Sequence, residues 1–166
     1  MSAELVFRLV QILWLATIAL FALLAGWNNL VDYDSNFEFV RHVLSMDTTF
    51  PGNRLVGRAV TAPTLWTGAY WLIIAAELAT GLMCALGACA MWRVRSADAA
   101  SFDAAKRWGL AGLALGFAIW GLGFFVIAGE WFAMWQSSTW NGRMSAFQFS
   151  VLIGLALVLL RPRERG

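Results

Sequence analysis

Leu9–Val31 reads LVQILWLATIALFALLAGWNNLV. No Asp, Glu, Lys or Arg interrupts its 23 residues. As a helix it would reach roughly 34 Å at ~1.5 Å per residue, against ~30 Å of bilayer hydrocarbon. A signal peptide is the competing reading. Its apolar region would be about 7–15 residues, behind a basic n-region and ahead of an A-x-A site. Here only Arg8 precedes the run, which ends in Trp27-Asn28-Asn29. We read Leu9–Val31 as a retained membrane span.

The rest of the chain agrees. Hydrophobic residues make up 60% of the 166, charged residues 13%, and mean hydropathy is +0.67. A soluble domain is nearer ~45–50% apolar and about 25% charged. Further apolar runs at 64–92, 106–129 and 144–160 give an expected all-α fold: one transmembrane domain, 1–166, built as a four-helix bundle. Pro63 suits the start of the second run. The formal net charge of +2 decides little, and no basic run lies on a soluble face, so nucleic acid is not an expected partner. Cys84 and Cys89 sit inside an apolar run with C-x4-C spacing, which is neither redox nor zinc spacing. They read as small packed residues.

Charge placement sets orientation. Arg8, Arg93, Arg95, Lys106, Arg107, Arg161, Arg163 and Arg165 flank one side of the expected bundle. Arg41, Arg54, Arg58 and Arg143 fall on the other, with four acids between Asp32 and Asp47. Both termini are therefore expected in the cytoplasm, and the first loop outside, in the periplasm of a bacterium. Trp27, Trp66, Trp71, Trp131, Trp135 and Trp140 mark outer span ends, and Trp92 and Trp108 inner ends, at headgroup level. Trp120 is mid-span, either packed or facing lipid.

Gly109, Gly112, Gly116 and Gly123 share one face of the third span, and Gly112-x-x-x-Gly116 is a small-x-x-x-small motif. This reads as a close-packing face whose partner is another span or another protein. Gly81, Cys84 and Ala88 form a similar stripe on the second.

The first outer loop is patterned. Ser35-x-x-Glu38 fits a capping box, and Phe39, Val43, Met46 and Phe50 recur at helical steps. A short amphipathic helix over 36–47 is expected along the outer interface or capping the bundle. Glu38 can pair with Arg41 and His42. Asp32-x-Asp34-x-Asn36 resembles half a calcium loop, but Phe37 and Val43 stand where glycine and the bidentate acid belong. Haem fits poorly too, because the chain's one histidine, His42, shares a helix side with Met46. No metal or cofactor is expected. His42 reads as a hydrogen-bonded interface residue or as a proton acceptor.

Glu77 is the sharpest anomaly. Eleven residues past Trp66 is about 16 Å along a helix, where an ionisable group is costly and a functional role is the default. It is a proton or cation site, a contact to a polar group on a partner subunit, or a protonated carboxyl tying helices together. Thr80, Thr17, Gln148 and Ser150 are candidate hydrogen-bond partners. Glu130, near the outer interface, reads as a solvated helix-end acid.

Asn28-Asn29, Asp32-Tyr33, Ser35-Asn36, the run FVRHVLSMDTTFPGN from Phe39 and GEWFAMWQSSTWNG from Gly129 resemble a bacterial family of predicted small integral membrane proteins of unknown function. The resemblance covers nearly the whole chain. It implies four spans and the inner membrane, and brings no activity, cofactor or catalytic residue.

Both stretches are expected outside, so Asn28, Asn29, Asp32, Asn36, Arg41, His42, Asp47, Trp140 and Asn141 form a candidate recognition surface for a partner or a headgroup. Alternatively, they satisfy the loops and one another. The function expected first is a non-catalytic accessory or assembly subunit, in contact with the bilayer and with other membrane subunits or itself. The alternative is a small proton-coupled transporter or channel using Glu77. An enzyme working through His42 is the weakest reading, and no catalytic residue is assigned.

Overall fold

The computed structural model describes residues 1–162. Among them the chain is all-helical, with no strand. Helix α1 (Ala3–Val31) is capped by Ser2, whose hydroxyl accepts the Leu5 N–H at 3.3 Å. One residue, Asp32, separates it from α2 (Tyr33–Ser45). Next come α3 (Pro63–Arg93), α4 (Ala99–Ala105) and α5 (Arg107–Phe117), then a wider π-helical stretch, Ala118–Trp131, and α6 (Arg143–Leu159). Three helices are long and apolar enough to cross a membrane: α1, α3 and the run Ala99–Trp131. α6 is apolar but has 17 residues, about 26 Å at helical rise.

One expected boundary is corrected. The loop helix begins at Tyr33 and ends at Ser45, rather than covering 36–47. The capping box does not form, because the Ser35 hydroxyl donates to Asp32 Oδ1 at 2.9 Å and lies inside the helix. Met46 then turns left-handed, with φ 55°, and its side chain is fully buried; packing holds a conformation that non-glycine residues disfavour. A short helix, α4, precedes the expected third span, and α5 begins at Arg107. Asp98 caps α4 by accepting the Ser101 N–H at 2.9 Å and hydroxyl at 2.8 Å, which holds its carboxyl below the usual range.

Small residues let the helices meet. The chain packs α1 and α5 on α3. Gly81 faces Leu23 of α1, Gly87 faces Gly109 of α5, and Gly112 faces Cys84. A Cβ added to Gly112 would lie 2.8 Å from Cys84 Sγ and 2.9 Å from its backbone nitrogen. Gly116 lies against Thr80. So Gly109, Gly112 and Gly116 pack on a helix of the same chain. Gly123 does not join them; it borders an apolar recess of about 340 Å³. Leu15, Cys84, Met91, Leu113, Ile153 and Ala156 fill the core between helices. Cys89 is exposed, and Trp120 is packed.

The basic end is more ordered than flanking charges would be. Arg8, only 8% exposed, donates to the carbonyls of Arg95 at 3.0 Å and Ala97 at 2.6 Å and to Glu4 at 2.8 Å. Its guanidinium lies 4.7 Å from the Phe102 ring centre. Lys106 is buried and pairs with Asp103 at 2.6 Å. Gln11 donates to the Leu159 carbonyl at 2.5 Å, tying α1 to α6. Arg163 and Arg165 lie outside the described residues.

Candidate functional site

At the other end, α2 forms a roof. Val40, Val43 and Met46 are its buried face. The Val60 N–H donates to the Leu44 carbonyl at 2.8 Å, pinning the loop that leads to α3. The stretches Phe39–Asn53 and Gly129–Gly142 meet here. His42 stacks on Trp140 with ring centres 4.8 Å apart and planes 13° apart. Thr48 donates to the Ser137 hydroxyl at 2.9 Å, and the Phe50 N–H to Gln136 Oε1 at 3.1 Å.

The upper surface of the roof is a charge network. Arg41 donates to Glu38 through Nε at 2.8 Å and lies 3.5 Å from Asp47. The Arg41 hydrogen bond lowers the Glu38 pKa below the usual carboxylate range. His42 Nδ1 is 2.8 Å from Asp47 Oδ1, and its Nε2 is 2.7 Å from Arg41 Nη2. A guanidinium can only donate. Nε2 is therefore the acceptor, and Nδ1 carries the proton donated to Asp47. With one ring face on Trp140 and both nitrogens engaged, His42 has no free nitrogen for substrate.

Below the roof lies a cavity of about 840 Å³ bounded by α1, α2, α3, the π-helical stretch and α6. Glu77 is in its wall, 4% exposed. Asn29 Nδ2 donates to Glu77 Oε2 at 2.7 Å, and the Tyr70 hydroxyl donates to the Asn29 carbonyl at 3.1 Å. A carboxyl, an amide and a phenol from two helices are thus locked together. Asn28, Asn36, Ser145 and Gln148 supply the remaining polar lining; Phe21, Trp120, Phe124 and Phe149 supply aromatic walls. Phe39, Val40, Ile73 and Phe124 separate this cavity from the apolar recess behind it.

Glu77 is 14 residues into α3, about 21 Å by helical rise, yet it touches Asn29, in the last turn of α1. α3 overshoots the end of α1, and α2 packs beside the excess.

The candidate partners behave differently from expectation. Gln148 lines the same cavity. Thr17 and Ser150 donate to their own helices, at the carbonyls of Leu13 and Ala146. Thr80 Oγ1 is buried with no hydrogen-bond partner among the described residues. Asn29, placed by sequence on the outer surface, is the residue that holds Glu77.

The candidate surface divides in two. Asn28, Asn29 and Asn36 face the cavity. Arg41, His42, Asp47 and Trp140 form the roof network. Asp32 binds Ser35 locally, and Asn141 accepts the Arg143 N–H at 3.2 Å, joining neither group. Glu130 is exposed, 3.4 Å from Arg143, outside the cavity. Tyr70 and the aromatic walls carried no sequence signal beyond hydrophobicity.

Long apolar helices around a polar-ended cavity define a helical integral membrane protein in contact with the lipid bilayer. The family model described as "Predicted small integral membrane protein (DUF2165)" matches residues 7–163. The chain belongs to that family. No curated protein and no solved structure matches it.

Proposed function

We propose that this is a non-catalytic binding protein of the bacterial inner membrane, with four spans and both termini cytoplasmic, that works through the cavity at Glu77. The observation carrying this reading is the buried Glu77 carboxyl in the wall of the cavity. Arg8 and Asn29 are 21 residues apart on α1, about 32 Å, which matches ~30 Å of hydrocarbon. That separation suits Arg8 at the inner boundary and Asn29 with Glu77 at the outer one. α6 then spans with little to spare, and α2 lies at the outer interface. Sidedness is tested in a background with Cys84 and Cys89 replaced. A membrane-impermeant maleimide applied to spheroplasts should label Asp47→Cys, and Ala97→Cys only after lysis. The reverse pattern overturns the orientation.

Proton-coupled transport is the second reading, favoured by the same carboxyl. Its position beside the last turn of α1 suits a site open to one side better than a midpoint relay. In proteoliposomes, Glu77→Gln should pass protons and solutes at the wild-type rate; a clear fall would return the function to transport. A role as accessory subunit is compatible with binding. It loses one support, since the glycine face is occupied within the chain. Catalysis by His42 is disfavoured because its nitrogens are taken.

A further inference from the structure

The geometry points to an amphipathic organic cation as the cavity's guest: an ammonium-like head at Glu77, with an apolar body held between α1 and α6. This rests on reading Glu77 as the binding site, though not on transport.

Charge sets the sign of the guest. Among the described residues lining the cavity, Glu77 carries the one carboxyl, and no Arg, Lys or His joins it. An ionised carboxylate offers about four acceptor positions. The described hydrogen bonds supply one, from Asn29 to Oε2. With Glu77 ionised, the cavity is an acceptor site of negative sign with capacity left over. A buried carboxylate without a counter-charge is costly, and a cation of complementary charge removes that cost.

Shape and aromatic content narrow the class. Tyr70, Trp120, Phe124 and Phe149 line the same cavity as the acid. Aromatic faces attract desolvated cations, quaternary ammonium groups above all. Phe21, Leu24 and Leu152 line the same space yet are 39–50% exposed. They give the cavity an exposed edge along α1 and α6, which the stacked rings of Phe21 and Phe149 bridge with centres 3.5 Å apart. A guest entering there brings an apolar body from the bilayer and directs its head to Glu77. A phosphate or carboxylate head would meet like charge with no base to receive it.

Tritiated tetraphenylphosphonium tests this by equilibrium dialysis against the full chain in a neutral maltoside detergent. Saturable one-site binding is expected. Uncharged triphenylphosphine oxide should bind about tenfold more weakly or worse. Glu77→Gln, which preserves size and an acceptor for Asn29, should weaken the cation by about tenfold or more. Ser145→Trp fills part of the cavity with the acid intact and should do the same. Glu130→Gln should change nothing. Equal binding of the charged and uncharged probes overturns the inference, as does wild-type affinity in Glu77→Gln. Unchanged thermal unfolding and gel-filtration profiles show that the variants fold. Nanodiscs separate two sources of the head group. Competition by phosphatidylethanolamine or phosphatidylcholine over phosphatidylglycerol identifies a lipid ammonium; none identifies a free amine. Loss of proton flux in Glu77→Gln liposomes with cation binding intact would overturn the non-transport reading and the charge argument, each by its own measurement.

Discussion

Gly87→Ala is expected to lower the stability of the bundle by about 3 kcal/mol, the upper part of the usual range for overpacking. The added methyl would collide with the backbone nitrogen of Gly109 and lie 2.7 Å from its Cα. Backbone cannot rotate aside as a side chain can. α3 and α5 would have to separate, which also opens the contact between Gly112 and Cys84 one turn away. In lipid no hydrophobic drive pushes helices back together, so lost dispersion contacts are not recovered elsewhere. Gly68 lies on the same helix with nothing within 4 Å of an added Cβ. Gly68→Ala should therefore be neutral, or stabilise by about 0.5–1 kcal/mol through helix propensity. Unfolding in maltoside micelles with increasing sodium dodecyl sulfate reads both. A Gly87→Ala midpoint equal to that of wild type would show that the helices do not meet there.

Asn29→Leu is expected to cost about 2 kcal/mol, the worth of a hydrogen bond to a charged, buried partner. The substitution keeps the backbone carbonyl that receives the Tyr70 hydroxyl at 3.1 Å. It removes only the amide that Asn29 gives Glu77 at 2.7 Å. The carboxyl is then left without a protein donor. Glu77→Gln alone should cost under about 1 kcal/mol, because an amide oxygen still accepts from Asn29. Adding Glu77→Gln to Asn29→Leu should recover part of the loss, since the stranded charge is gone. The same unfolding assay measures all four proteins of the cycle. Additive effects would mean that the two residues are not coupled, and that cavity water serves the carboxyl instead.

Hydropathy and residue type made the helices legible. So was the packing face at Gly112: spacing along one helix identifies a face. Gly87 was not legible as its counterpart. A close approach needs two helices in register, and one helix's sequence does not contain the other's offset. The start of α2 was missed because Ser35 fits two local hydrogen bonds, and Asp32 offers the stronger acceptor. Glu77 stood out as a buried acid from its context alone. Its height and its partner required the overshoot of α3 past α1. His42 and Trp140 lie 98 residues apart, and their stacking follows from how α2 folds over the bundle. The π-helical stretch Ala118–Trp131 has no marker in the sequence that separates it from an ordinary apolar helix.

The one-residue corner at Asp32 makes α2 a lever. Its fulcrum is the end of α1, and its arm is the 13 residues to Ser45, about 20 Å. A rotation of ~10° at the fulcrum would carry the free tip roughly 3 Å, from the same helical rise. The tip is also where Leu44 is tied to Val60 and Thr48 to Ser137. Those two ties act on the longest arm available, so modest bonds hold the roof down with the greatest mechanical advantage.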